Sequence, residues 1–440
     1  MGRKKQREPE TAIIESATHD GRGIAAVSGK KVFVAGALPG ETVEFIRRKS
    51  RRNFDEAELL QVIEPSSDRI GAKCEAFGRC GGCSLQHVSE GYQRSIKEQT
   101  LRDNLRRIGK VEPESWLQPM TGPVWGYRRR ARLAVKDVPA KGRVLVGFRE
   151  RHAPFVTDMH RCEVLASPVG ELIDELSDMI ARLSIRARLP QVEVAIAENS
   201  VALVFRVLDA PNDADKAELI AFGDANDCRI FLQPGGLDSL QLIHPDGAAE
   251  SLFYTLPEFD IRIDFEPVDF VQVNREINQR MVHFAIEQLD PRPEDRVLDL
   301  FCGIGNFSLP LARRSGTVLG IEGEKSLVAR AADNAKKNGL DNVDFRVADL
   351  SKIDGSESWV KAGWDCVLLD PARSGAAELV EQMRLLNPKR IVYISCHPGT
   401  LARDAGKLSH EQGYRLETAG IIDMFPHTAH VESIAVFTRS

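Results

Sequence analysis

The second half of the chain alternates short apolar runs with longer amphipathic stretches. From about residue 266 the runs RVLDLF, TVLGIE, VDFRVAD, DCVLLD and RIVYIS read as strands buried on both faces. Stretches such as KSLVARAADNAKKNG between them read as helices, that one ending at Gly339 in the position of a left-handed cap. Such alternation predicts a parallel sheet with helices on both faces, and two further strands near residues 414–422 and 431–438 close the chain. The beginning follows another pattern. Between about residues 9 and 64, apolar runs of four to six residues recur at roughly ten-residue spacing between glycine turns, which predicts a small β-barrel. A helix is expected from about Leu85 to Ile108, with Tyr92, Ile96, Leu101, Leu105 and Ile108 on one face and Gly109 as its stop. Between about Trp125 and Asp264 the runs RRRARLAVKD, RVLVGFRE, QVEVAIAE and VALVFRVLD alternate with helices near 168–184 and 212–222, a mixed α+β pattern. The expected division is a barrel over 1–68, a central domain over 69–265 and an α/β domain over 266–440, with the helix 85–109 free to pack on the last.

A length of 440 residues exceeds one ordinary core, which fits this division. With 42% hydrophobic and 28% charged residues the chain is expected to be globular and soluble, and no apolar stretch is long enough for a membrane span. The start, MGRKKQREPE, has basic residues with no apolar segment behind them, unlike a secretory signal. Arg7 stands where a myristoylation site needs Ser or Thr. The net charge of −5 hides an asymmetry: residues 1–110 carry 21 Lys and Arg against 15 Asp and Glu, and the rest carry 38 against 49. A basic first quarter, with RRKSRRNF in the barrel and the run Arg128–Arg132 beyond it, suggests a polyanion as partner. A solvated basic surface with no partner would give the same count. The eight cysteines form no even framework of a secreted protein, so a reducing, cytoplasmic setting is expected.

Candidate chemistry gathers where the strands end. VLDLFCGIGNFSLPLA ends a strand near Asp299, turns at Gly303 and Gly305, and opens a helix at about Asn306, so that backbone amides can approach a ligand. Glu322, ending the next strand, is placed to accept from two ribose hydroxyls, and Asp349 after the third suits an adenine edge. A strand–glycine–helix unit alone would also bind NAD. The turn G-I-G-N, Asp349, and an acidic residue followed by proline in LLDPARSG favour S-adenosylmethionine, and together resemble the class I methyltransferase fold. Asp370 offers a carboxylate that can accept from an imide N–H, which favours uracil over adenine as target.

Carbon 5 of uracil is too weak a nucleophile to attack a methyl sulfonium unaided. Thiolate addition at C6 makes C5 carbanion-like, and a base must afterwards remove the C5 proton. Cys396 in VYISCHPGTLARD follows the fifth strand, just before a helix N-terminus that would favour thiolate. Glu432, at the head of the last strand, is the candidate base, with His427 and His430 as rivals. Cys228, Cys302 and Cys366 read as inert core residues.

The stretches FVQVN, DLFCGIGNFSLPLA, LLDPARSG, YISCHPGTLARD and FPHTAHVESIAVF resemble the RNA uracil-C5 methyltransferase family, and DGRGIA with LPGETVE resembles the OB-like TRAM domain of RNA-modifying enzymes. The resemblance implies Cys396 as nucleophile, Glu432 as base, Asp370 beside the target base, and cofactor contacts from Gln272, Phe301, Asn306, Glu322, Asp349 and Asp370. It places Phe270 in an active-site strand, stacking on the target base. His397 departs from the family's usual Asn after the nucleophile. For CEAFGRCGGC with the distant Cys162, spacing alone leaves an iron–sulfur cluster, zinc and unligated thiols open. The resemblance implies a [4Fe–4S] cluster on Cys74, Cys80, Cys83 and Cys162, as in the ribosomal RNA members. The expected activity is 5-methyluridine formation in 23S ribosomal RNA by a cytoplasmic monomer. A uridine in transfer RNA, or an RNA cytosine, is the alternative target.

Overall fold

A computed structural model describes residues 8–18, 20–247 and 250–439, so the basic start of the chain at residues 1–7 lies outside the described residues. Two compact units result. The first comprises Met1–Thr100, Arg149–Phe155 and Phe425–His430; the second comprises Leu101–Phe148, Val156–Met424 and Val431–Ser440.

In the first unit, six strands share one sheet, and the two strands at its ends, Glu10–Ile13 and Ser16–Ala17, are joined by only Ile14 and Glu15. A sheet whose ends are two residues apart must roll up, which gives the barrel that the ten-residue spacing predicts. Ile14, Ala25, Val32, Val34, Val43 and Phe45 fill it. Its basic hairpin is largely neutralised: Arg47 pairs with Glu10 and Asp55, Arg48 with Glu58, and Lys49 with Glu56 at 3.7 Å. Arg51 and Arg52 are exposed at the turn.

Among the described residues, the second unit holds two large sheets and the two-stranded hairpin Leu252–Phe265. One has the order Gln241–His244, Cys228–Gln233, Val201–Arg206, Gln191–Ile196, Arg130–Val138, Arg143–Gly147, with the helix Asp213–Asn226 crossing between its parallel pair. The arginine run beside it is not the open stripe expected for phosphates. The Arg128 guanidinium lies over the Phe148 ring at 5.7 Å and donates to the Arg130 carbonyl at 2.9 Å. Arg130 donates to the Pro267 carbonyl, and exposed Arg132 pairs with Glu193 at 3.2 Å.

The other sheet contains β1 (Arg296–Leu300), β2 (Thr317–Glu322), β3 (Val343–Val347), β4 (Cys366–Leu369), β5 (Arg390–Ser395), β6 (Tyr414–Ile422) and β7 (Glu432–Arg439). Their order is β3-β2-β1-β4-β5-β7-β6, with the short strand Ser115–Trp116 on the outer edge. β1 to β5 are parallel, whereas β7 runs antiparallel to both β5 and β6. The flanking helices used below are α1 (Arg275–Leu289), α2 (Ser308–Ala312), α3 (Lys325–Lys337) and α4 (Pro398–His410). Leu298, Leu300, Ile321, Val367, Leu369, Ile391 and Tyr393 are buried between sheet and helices, as continuous apolar runs in a doubly covered sheet require.

The helix expected over 85–108 begins later, at Glu90, and gives way after Asn104 to a π-helical turn, Leu105–Gly109. The left-handed stop residue is Lys110 (φ 53°), so Gly109 has a different purpose. A Cβ on Gly109 would sit 2.4 Å from the Ala402 carbonyl oxygen, and one on Gly406 would sit 2.8 Å from the Gly109 oxygen. The two glycines let the π-turn backbone lie directly against α4.

Candidate active site

Asp299, Glu322, Asp370 and Cys396 lie at the carboxyl edge of β1, β2, β4 and β5, where a parallel sheet opens its crevice. Between β1 and α2 the chain makes a tight turn, with Phe301 (φ 65°), Gly303 (φ 55°) and Gly305 (φ 95°) all left-handed. Such a backbone is ordinary for glycine and strained for phenylalanine, a state that persists at ligand sites where surrounding contacts hold it. Here the Phe301 and Cys302 amides both donate to the Ile321 carbonyl, at 2.9 and 3.1 Å. The Gly303 amide donates to Glu322 Oε2 at 3.1 Å, and the Gly323 amide donates to Oε1 at 2.6 Å. Glu322 is thereby oriented by the loops on both sides of it.

Asn306 is held more firmly than a free cofactor contact would be. Its Oδ1 accepts from the Tyr254 hydroxyl at 2.9 Å and from Asn278 Nδ2 at 3.1 Å, and its Nδ2 donates to Asn278 Oδ1 at 3.0 Å. Asn334 Nδ2 donates to the Ile304 carbonyl at 3.3 Å and to the Asp264 carbonyl at 3.0 Å, tying the same turn to the hairpin Leu252–Phe265. Tyr254, Asn278 and Asn334 escaped the sequence reading. The available signal was an asparagine on the buried face of a helix, a residue that helix propensity disfavours there.

Carboxylates dominate the electrostatics. Asp299 is fully buried and pushed up to about 7 by that burial, with the Ser308 hydroxyl opposing and Asp370 and Glu322 adding to the rise. Asp370 is likewise raised to about 7 by burial. Such a crowd of acids favours a cationic ligand.

Cys396 and Glu432 are brought together by strand register. In the antiparallel pair β5–β7, Ser395 is the partner of Ser433, so one step further sets Cys396 opposite Glu432. Directly opposed residues in such a pair have Cβ atoms about 5 Å apart. Burial pushes the Cys396 thiol up to about 11, with Glu432 and Asp370 adding to the rise and Arg373 opposing it. Burial and the two carboxylates thus oppose the thiolate that the helix terminus favours. Cys228, Cys302 and Cys366 are buried, as read from sequence.

His397 caps α4. Its Nδ1 accepts from the Thr400 amide at 3.2 Å, while its own amide donates to Ser395 Oγ at 3.2 Å. The ring nitrogen thus fills the capping role that an asparagine oxygen has at such a position.

Other expected residues are placed less closely. Phe270 lies outside any strand and is 73% exposed. The chain leaves the strand because Pro267 has no amide hydrogen and Asp269 Oδ2 takes the Glu266 amide at 2.7 Å. Gln272 lies on the same loop, half-buried, before Asn274 caps α1. Asp349 stands two residues beyond the end of β3, exposed, with its carboxylate held by Lys352 Nζ at 2.6 Å and Ser351 Oγ at 2.6 Å. That hydrogen bond from Lys352 is the main cause of a pKa lowered to about 2.

Within the first unit, Cys74, Cys80 and Cys83 lie on one tight loop closed by Cys80 N–H to the Ala76 carbonyl at 2.9 Å. The Gly82 amide donates to Cys80 Sγ at 3.4 Å, and Arg151 donates to the Cys83 carbonyl at 3.0 Å. Burial lowers the Arg151 pKa, and Asp20, Cys83 and Cys80 offset part of that shift. An amide turned toward cysteine sulfur suits a thiolate ligand. Cys162, in the second unit, is buried. Among the described residues no group of three or more His, Cys, Asp or Glu side chains converges as a metal site. The rival bases His427 and His430 belong to this first unit. The His427 amide and ring Nδ1 meet the Gln93 side chain at 2.8 and 3.3 Å, and its carbonyl accepts from the Ser84 and Leu85 amides. His430 leans against the Phe425 ring.

Comparison with known proteins agrees with this geometry. Residues 255–440 match the family model of tRNA (uracil-5-)-methyltransferase, and residues 3–60 match the TRAM domain. A protein of Methylococcus capsulatus named 23S rRNA (uracil(1939)-C(5))-methyltransferase RlmD is 51% identical over 444 residues, covering 100% of both chains. The protein of the same name from Alkalilimnicola ehrlichii is 51% identical over 100% of this chain and 99% of its own. Among solved structures, the Pyrococcus abyssi tRNA (uracil-54, C5)-methyltransferase bound to S-adenosyl-L-homocysteine superposes with a TM-score of 0.74 at 24% identity. That match covers 98% of this chain and 100% of the other, and establishes the shared fold. The chain therefore belongs to the RNA uracil-C5 methyltransferase family, aligning end to end with its RlmD members.

Proposed function

We propose that this protein transfers the methyl group of S-adenosylmethionine to C5 of a uridine in 23S ribosomal RNA, forming 5-methyluridine through a covalent Cys396–C6 adduct. The observation that carries the reading is the register setting Cys396 opposite Glu432 at the sheet edge that also holds Asp370, in a chain aligned end to end with RlmD proteins. Bound in the acidic crevice, the cofactor supplies an electrophilic methyl group on a positively charged sulfur. Gln272, Phe301, Asn306, Glu322, Asp349 and Asp370 remain the proposed cofactor contacts. The geometry supports a supporting part for Asn306, and gives Asp349 a competing partner in Lys352.

The chemistry then follows from this chain's own groups. The Cys396 thiol passes its proton to solvent water, helped by Arg373 and by a cation entering the crevice, and its sulfur bonds to uracil C6. The ring's displaced electron pair gives an enolate, and C5 takes the methyl group. Glu432 removes the C5 proton; the electron pair reforms the C5–C6 double bond and expels the Cys396 sulfur. Asp370, when ionised, accepts the uracil N3–H. A cytosine has no N3–H to offer, which is the argument against that target. The target base must leave its stack to reach Cys396.

Cys74, Cys80, Cys83 and Cys162 are the proposed ligands of a [4Fe–4S] cluster, supported by the family likeness and the sulfur-directed Gly82 amide. It would cross-link the chain and contribute no step to methyl transfer. No helix among the described residues is long and apolar enough to cross a membrane; a cytoplasmic, monomeric enzyme is proposed. Nucleoside analysis of 23S and transfer RNA incubated with the protein and labelled S-adenosylmethionine tests the function. Label in 5-methyluridine of 23S RNA supports it, and label only in transfer RNA or in 5-methylcytidine overturns it.

A further inference from the structure

Three residues of α4 grip the loop that follows Asp370. Thr400 Oγ1 donates to the Arg373 carbonyl at 3.3 Å, and Arg403 Nη2 donates to the Ser374 carbonyl at 2.9 Å. The fully buried Asp404 accepts the Ala376 amide on Oδ2 at 2.8 Å. The same oxygen accepts the Tyr393 hydroxyl from β5 at 2.7 Å, and Oδ1 accepts Arg403 Nε at 2.8 Å. Gly375 is left-handed (φ 77°), and a Cβ there would lie 2.6 Å from Arg403 and 2.7 Å from Asp404. The fit is therefore closed from both sides. One carboxylate joins three things: the strand that ends just before Cys396, the helix that starts after it, and the loop carrying Asp370 and Arg373.

We propose that Asp404 is a positioning residue that fixes the distance between the nucleophile Cys396 and the Asp370–Arg373 segment; the proposal rests on the function given above. A buried carboxylate with every oxygen engaged is a rigid joint, because each lost partner would leave a charge unsatisfied in a dry interior. Charged groups facing Cys396 are Glu432 on β7, with Asp370 and Arg373 on this loop. Release of the loop would move its only cation, Arg373, away from the thiol, leaving Glu432 on its own strand to dominate.

The test uses the full-length protein, S-adenosylmethionine, and a 23S RNA transcript containing 5-fluorouridine, which halts the reaction at the covalent adduct. Adduct formation is timed across pH for the wild type, Asp404→Asn and Tyr393→Phe. For Asp404→Asn the expected result is a rate lowered on the order of 10- to 100-fold, with cofactor affinity within about twofold. Its pH profile should move upward by about half a unit or more. Tyr393→Phe removes one hydroxyl and should show a smaller loss in the same direction, which keeps the test intact if the first variant fails to fold. Wild-type rates and profiles in the folded variants would overturn the proposal, as would a loss confined to cofactor affinity. Absence of an adduct in the wild type itself would instead overturn the functional reading, and the proposal with it.

Discussion

In the proposed mechanism Cys396 and Glu432 divide the reaction between them, and their placement separates two failures. Without Cys396 no adduct can form. Without the Glu432 carboxylate the adduct forms and is methylated, but the C5 proton stays. Glu432→Gln should therefore accumulate a methylated protein–RNA adduct on denaturing gels while turnover falls by about 10²- to 10⁴-fold. Equal turnover in the variant would remove Glu432 from the mechanism. Asp299 makes a second prediction at this scale. Its folded pKa, about 7, lies above the ordinary 3.8, so its stabilising contribution is complete below about 4 and is lost as pH rises through about 7. Asp299→Asn keeps the Ser308 contact without the buried charge. It should raise the thermal stability of the cofactor-free protein at pH 8 by at least about 1 kcal/mol and change it little at pH 4. Melting curves at both pH values decide it. The place of Cys396 just past a strand end was legible in the sequence, because the apolar run RIVYIS ends immediately before it. The rise in its pKa was not, because burial and the Glu432 and Asp370 carboxylates only meet it in three dimensions.

At the level of elements, strands β1 to β5 follow the apolar runs closely, since a strand covered on both faces leaves a continuous signal. Helix boundaries were less legible. The start expected at Leu85 fails because residues 85–89 make turns before Glu90, and the stop at Gly109 is a packing residue rather than a cap. Nothing local distinguishes a capping glycine from one that faces another helix. Gly406→Ala should lower stability by about 1–3 kcal/mol through its clash with the Gly109 backbone, measured by denaturant unfolding. A loss below about 0.5 kcal/mol would show that the two segments can part cheaply. His397 makes the complementary case: His397→Ala should cost about 1 kcal/mol, and His397→Asn should restore it. An alanine variant as stable as the parent would show that the ring does not cap α4. Asp404 and Tyr393 lie in a stretch singled out for its cysteine, yet their joint work on the loop could not be read without the fold.

Across the whole molecule, the basic stretches among the described residues are only partly available to RNA. Arg47, Arg48 and Lys49 are paired with acids of their own barrel, and Arg128 and Arg130 serve internal contacts, a pairing that charge counting cannot foresee. Arg51 and Arg52 are the exposed pair at the hairpin turn. Changing both to Glu should weaken RNA binding and reduce the slope of log affinity against log salt by up to about 2, leaving cofactor affinity unchanged. An unchanged slope would place the RNA elsewhere on the surface. The cysteine loop has its own test: an anaerobic preparation should contain iron and sulfide and show the visible bands of a cluster, and Cys80→Ala should abolish them. The central claim is that Cys396 is the residue that bonds to a uridine of 23S RNA. Its most direct measurement is mass spectrometry of the adduct trapped with 5-fluorouridine-containing 23S RNA and S-adenosylmethionine. A single cross-linked peptide containing Cys396, joined to a methylated fluorouridine, is the expected product. An adduct on another residue, or none, would contradict the claim.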